Sequence, residues 1–170
     1  KGHLDAEADE FIAFAEDGAA RMGRMIDDLL GYSRVGRETV PDTPVDLGAV
    51  VARAIDNLAV RVRDAGAEVT VGDLPTVAGH AGLLENLFQN LIGNAIKFRA
   101  PDRPPRVTVS AERAGPDWRV RVADNGVGVA PDRTERAFEM FQRLHGREDF
   151  DGAGIGLAVA RRIVERHGGD

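Results

Sequence analysis

The 170-residue chain contains no cysteine. That excludes disulfides, thiolate metal sites and cysteine nucleophiles. Lysine is almost as scarce: Lys1 and Lys97 are the only two, and arginine carries the rest of the positive charge. No apolar run approaches the ~20 residues that a membrane helix needs, and no signal peptide opens the chain. A cytoplasmic protein with no direct membrane contact is expected. The net charge is −6, which argues against nucleic acid as a main partner. Proline is absent before Pro41. The length, with 43 % hydrophobic residues, suits one domain, or one domain plus an appendage.

The proline-free start has a regular pattern. Leu4, Ala8, Phe11, Ala15, Gly18, Met22, Met25, Leu29 and Tyr32 recur in alternating steps of four and three. That is a heptad seam, and Ile12, Ala19 and Ile26 widen it. A long helix cannot bury such a stripe against itself, so partner helices are expected. "VPDTPVD" (Val40 to Asp46) then breaks the chain and divides two domains. Asp46 is placed to cap a helix over about Leu47 to Ala65. "AEVTVGD" and "PTVAG" read as strands, and His80 to Phe98 as a long helix. "RVTVSAER" and "WRVRVADN" alternate as a hairpin. Val129 to Asp151 is a long polar stretch with one short helix expected near Arg133 to Leu144. "GIGLAVARRIVERHGG" reads as a final helix stopped by Gly168 and Gly169. The order predicts an α+β fold: a two-layer sandwich with helices on one face of a mixed sheet, preceded by the heptad-patterned helix.

Three groups of residues could carry chemistry. In "NLIGNAIKF", Asn90, Asn94 and Lys97 share one helical face, and the same helix carries an apolar stripe of Leu84, Leu87, Leu91 and Phe98. Solvated helix faces favour Glu, Lys and Arg over asparagine, a mediocre helix former. Asparagine oxygens can ligate Mg²⁺, and a lysine is a point charge for phosphate. "DNGVG" (Asp124 to Gly128) is an ideal tight turn. It also offers a strand-end carboxylate to a ligand amine, with glycines that let backbone approach closely. Gly152, Gly154 and Gly156 precede a helix, where bare amides and the helix dipole favour a phosphate; a loop needing glycine dihedrals is the plainer alternative. The spacing is neither a dinucleotide fingerprint nor a P-loop.

Taken together and in order, these blocks resemble the nucleotide-binding domain shared by sensor histidine kinases, gyrase-type ATPases and related chaperones. The resemblance covers about residues 45 to 170. "NLIGNAIKF" resembles the asparagine box, "DNGVG" the first glycine box, "GAGIGL" the second, and "AFEMFQRLHGRE" the phenylalanine-containing lid of histidine kinases. The N-terminal helix, ending "MIDDLLGYSRVG", resembles the second helix of a histidine kinase dimerisation hairpin. The wording "FQNLIGNAIKF … FQRLHGRE" is especially similar to phytochrome-type bacterial kinases.

The resemblance implies residues 1–40 as a dimerisation and phosphotransfer helix, 41–46 as a linker, and 47–170 as a catalytic ATP-binding domain. It implies ATP and Mg²⁺ as cofactors. Asn94 would ligate the metal with Asn90 in support. Lys97 and Arg143 would neutralise phosphate charge, and Phe98 would flank the nucleotide. Asp124 would read the adenine amino group over Gly126 and Gly128. Gly152, Gly154, Ile155, Gly156 and Leu157 would complete the phosphate cradle. Residues 129 to 151 would form a mobile lid docked by Phe138 and Phe141. The implied activity is transfer of the ATP γ-phosphoryl to a histidine, for relay to an aspartate on the receiver domain of a response regulator. The implied assembly is a homodimer through the hairpin.

His3, His80, His145 and His167 all lack the acidic-then-proline context of the acceptor histidine. The acceptor helix and the family's last strand are expected to be missing, and with them autophosphorylation of this chain. A non-catalytic dimerisation or scaffold module with a relic nucleotide site is the main alternative. A gyrase- or chaperone-type ATPase is disfavoured because such relatives carry a water-activating glutamate where this chain has Asn90. The heptad helix and the lid wording disfavour an anti-sigma type of serine kinase.

Overall fold

The computed structural model describes residues 6–37, 40–41, 43–142 and 154–170. His3, Arg143, His145 and Gly152 lie outside the described residues, as does most of the second half of the expected lid. A first helix, α1, spans Ala6–Arg37. Much of its heptad seam lies open, with Phe11 68 % and Met22 62 % exposed. Near its C-terminal end, Tyr32 packs against the core.

The expected break at 40–46 is only partly a break. Pro44–Asp46 forms a short strand, β1, antiparallel to β3 (Thr76–Ala78), with Val45 opposite Val77. Proline is tolerated there because it occupies the first strand position, and the buried Val45 side chain anchors the segment. β3 therefore leaves the mixed sheet in which it was expected. That sheet is three-stranded: β2 (Glu68–Val71) runs parallel to β4 (Arg106–Ala114), which pairs antiparallel with β5 (Asp117–Asp124).

Asp46 caps α2 (Leu47–Asn57), its Oδ1 accepting from the amides of Gly48 and Ala49. The single helix expected to Ala65 is divided. The chain turns at Leu58, whose side chain is in the core, and resumes as α3 (Ala59–Ala65), closed by Gly66 at φ +59°. No glycine or proline marks that turn, so burial of Leu58 overrides local helix propensity.

α4 (Ala81–Lys97) crosses the body and buries Leu83, Leu84, Leu87, Phe88, Ile92, Ala95 and Ile96. Of the expected apolar stripe, Leu91 and Phe98 are only half-buried. α4 packs between α2 and α5 (Gly156–Arg166) and against β4 and β5. Val50, Val51, Ile92, Val107, Val109, Ile155 and Ile163 are essentially inaccessible at the centre. Helices thus form one layer over the sheet, as the α+β expectation required.

Candidate functional site at the junction of α4, α5 and the β5 turn

Three tight approaches bring the sequence blocks together, and each depends on a glycine. The first joins α4 to the start of α5. A Cβ placed on Gly156 would come within 2.8 Å of Asn90 Oδ1 and 3.7 Å of Asn94 Nδ2. Both asparagine amides therefore face the N-terminal end of α5, where unpaired backbone amides and the helix dipole favour an anion.

The second approach joins the β5 turn to the end of α4. The Phe98 carbonyl accepts from the Val127 amide at 3.0 Å. A Cβ on Gly126 would run into that same carbonyl oxygen. Asp124 Oδ1 accepts from the Gly126 amide at 2.8 Å, an Asx-type turn that orients the carboxylate. Gly128 takes φ +71°, a left-handed conformation that favours glycine.

The third approach ties the start of the lid to the glycine segment. Phe141 donates its amide to the Gly154 carbonyl at 3.0 Å. Gly154, at φ +73°, sits so close to the Gln142 carbonyl that a Cβ would lie 2.7 Å from its oxygen.

Lys97 and Phe98 lie at the C-terminal end of the asparagine stripe. The Lys97 ammonium sits 4.5 Å from the centre of the Phe98 ring. Both side chains are half-buried. Ile155 stands between Gly154 and Gly156 at the entry to α5. Its side chain is 1 % exposed and belongs to the core, so only its main chain can meet a ligand. Leu157 is half-buried on the first turn of α5.

The expected lid helix near 133–144 is instead two 3₁₀ turns, Pro131–Arg133 and Glu135–Phe138, with Ala137 buried. Phe138 is half-buried and lines a groove of about 320 Å³ with Tyr32, Met140, Ala158, Arg161 and Arg162. Phe141 does not dock by its ring, which is 50 % exposed. Its backbone makes the tether, at φ 63°.

The two described histidines, His80 and His167, have structural partners. His80 Nδ1 accepts from the Leu83 amide and caps α4. The His80 amide donates to His167 Nε2 at 3.1 Å, and His167 Nδ1 lies 2.7 Å from the Ile163 carbonyl. With Nε2 accepting, the Nδ1–H donates to that carbonyl.

Two asparagines escaped the motif reading. Asn125 Oδ1 accepts from the Arg106 amide, and its Nδ2 donates to the Pro104 carbonyl, fastening the β5 turn to the start of β4. Asn86 lies one helical turn before Asn90 and receives both hydrogen bonds of the Asn90 Nδ2 group. Its i−4 spacing was the available signal.

Residues 79–170 match the histidine kinase-, DNA gyrase B- and HSP90-like ATPase family. The chain belongs to that family. Cyanobacterial phytochrome A of Nostoc is 42 % identical over 98 % of this chain. The chain spans only about a fifth of that relative, 22 % of its length. The crystal structure of full-length ShkA in complex with AMPPNP superposes with a TM-score of 0.71 at 29 % identity, over 98 % of this chain and 35 % of that one. The histidine kinase ThkA in complex with the response regulator protein TrrA has a TM-score of 0.70 at 19 % identity, over 98 % of this chain and 47 % of that one, a likeness of fold alone. The mixed α/β fold, the ATPase family and the kinship with sensor histidine kinases thus agree with the sequence-based expectation.

Proposed function

We propose that this chain is the Mg-ATP-binding part of a sensor histidine kinase, joined to the second helix of a dimerisation hairpin. Residues 1–40 contribute the hairpin helix, 41–46 the connection, and 47–170 the nucleotide-binding domain, to which β1 adds its edge. The carrying observation is the convergence at Gly156: the asparagine stripe of α4 and the glycine-preceded N-terminus of α5 meet within van der Waals distance.

The donor set suits a hard cation beside phosphates. Among the described residues no cluster of three His, Cys, Asp or Glu side chains could hold a metal. The oxygens available for Mg²⁺ are those of Asn94 and Asn90. Mg²⁺ typically takes few protein ligands and completes its shell with water and substrate phosphate. Bound there, it would neutralise charge on the phosphates. Lys97 adds a second positive charge on leaving the Phe98 ring, a contact worth only ~0.5–1 kcal/mol at an exposed site. The main-chain amides at Gly154 to Leu157 bind phosphate oxygens, and Arg143 supplies a further cation from the lid. Asp124, with Oδ1 held by Gly126, presents its other oxygen to the adenine amino group. Phe98 flanks the base, and Gly128 keeps the floor open. Phosphoryl transfer at such a site depends on positioning and charge stabilisation.

The acceptor is a histidine on a separate helix, and the phosphoryl group then passes to an aspartate of a response regulator receiver domain. The exposed seam of α1 pairs in a homodimer. Incubation of this chain with radiolabelled Mg-ATP and a hairpin bearing the acceptor histidine tests the activity. Acid-labile label on the hairpin, lost with Asn94→Ala, is expected. Release of free phosphate without labelled hairpin would favour the ATPase alternative, and no turnover with retained binding the scaffold one.

A further inference from the structure

An asparagine amide presents an acceptor on one side and a donor on the other, so its orientation decides what it can bind. Asn90 needs its oxygen toward α5 to support a cation and its phosphates. Nothing in a lone asparagine enforces that choice. In α4 the choice is enforced from one turn back. Asn90 Nδ2 donates to the main-chain carbonyl of Asn86 at 2.9 Å and to the Asn86 side-chain Oδ1 at 2.6 Å. Both hydrogens of the Nδ2 group are thereby used. Turning the amide over would set its oxygen against the fixed Asn86 main-chain carbonyl and against Asn86 Oδ1 as that side chain stands. With Nδ2 held toward the N-terminal end of α4, Oδ1 faces Gly156, 2.8 Å from where a Cβ would stand.

From this geometry we infer that Asn86 is a positioning residue for the cation and phosphate site: it fixes the polarity of the Asn90 amide without touching the ligand. Asn86 is half-buried on α4, and its spacing places it on the Asn90–Asn94 stripe. The inference rests on the Mg-nucleotide reading of that stripe. Partners that orient metal ligands typically matter by 10–100-fold in affinity. A single neutral amide acting on a supporting ligand belongs at the low end, about 10-fold.

Two measurements on the full chain test it. In the ligand-free protein, the Asn90 side-chain NH₂ signals should be resolved and slow to exchange with water. Asn86→Asp, which keeps a side-chain acceptor, should preserve them, and Asn86→Ala, which leaves only the main-chain carbonyl, should shift one of the two NH₂ protons toward its free-amide value and speed its exchange. Calorimetry with a non-hydrolysable ATP analogue should then show Asn86→Ala weakening affinity about 10-fold in Mg²⁺ and leaving affinity in EDTA unchanged. Wild-type affinity in both conditions, or an equal loss in both, would overturn the inference, as would unaltered Asn90 signals in Asn86→Ala. Asn94→Ala separates the two levels: if it removes Mg-dependence while Asn86→Ala does not, only the role of Asn86 fails. If the wild-type chain has no Mg-dependence at all, the nucleotide reading fails with it.

Discussion

At the scale of single residues, the site depends on places where a methyl group does not fit. A Cβ on Gly126 would meet main-chain carbonyl, which cannot swing aside as a flexible side chain can. Gly126→Ala should therefore destabilise the fold by about 1–3 kcal/mol, the usual range for overpacking. For a chain of this size that is a drop of roughly 2–4 °C in melting temperature per kcal/mol, readable by calorimetry. Gly156→Ala differs because its clash is with the Asn90 side chain. The side chain can yield, but only by moving its oxygen from the α5 N-terminus. Little change in melting temperature is expected, together with a nucleotide affinity reduced about 10-fold or more. Wild-type affinity in Gly156→Ala would show that Asn90 Oδ1 has no part in binding.

At the scale of elements, caps and core burial divide the work. Asp46 is the sole side chain capping α2, accepting from two amides. Asp46→Ala should cost ~1 kcal/mol in chemical denaturation, and Asp46→Asn much less. Helix boundaries were legible where local chemistry marks them: Asp46, His80 and Gly168 stand at or just beyond ends the sequence already indicated. They were not legible at Leu58, where nothing local turns the chain and the core does. Nor was the pairing of β1 with β3, since a three-residue strand opening on proline carries almost no periodic signal. The β4–β5 hairpin was visible because alternation over eight or nine residues is a strong pattern and its turn holds Gly115 at φ +64°. In the site, the i, i+4, i+7 stripe exposed Asn90, Asn94 and Lys97. Asn86 was passed over because one further asparagine on a half-buried face looks like surface. Asn125 was hidden inside a turn motif whose glycines explained it sufficiently.

At the scale of the whole molecule, the described core lies after residue 40 apart from its margin. The core cluster runs from Val45 to Ile163, and among the described side chains of α1 Tyr32 packs at its margin. A chain beginning at residue 41 should thus unfold cooperatively within a few degrees of the full chain and keep its nucleotide affinity. Loss of a cooperative transition on removing α1 would show that the helix is part of the domain. The open seam of α1, with Phe11, Met22, Ile26 and Leu29 all exposed, matches the proposed pairing with other helices.

The central claim is that the α4–α5 junction and the Asp124 turn form one nucleotide site. Calorimetric titration of the chain with a non-hydrolysable ATP analogue, with and without Mg²⁺ and alongside Asp124→Ala, tests it most directly. Micromolar, Mg-strengthened binding that Asp124→Ala abolishes is the predicted result. Absence of binding by the folded wild-type chain, or binding indifferent to Asp124, would contradict it.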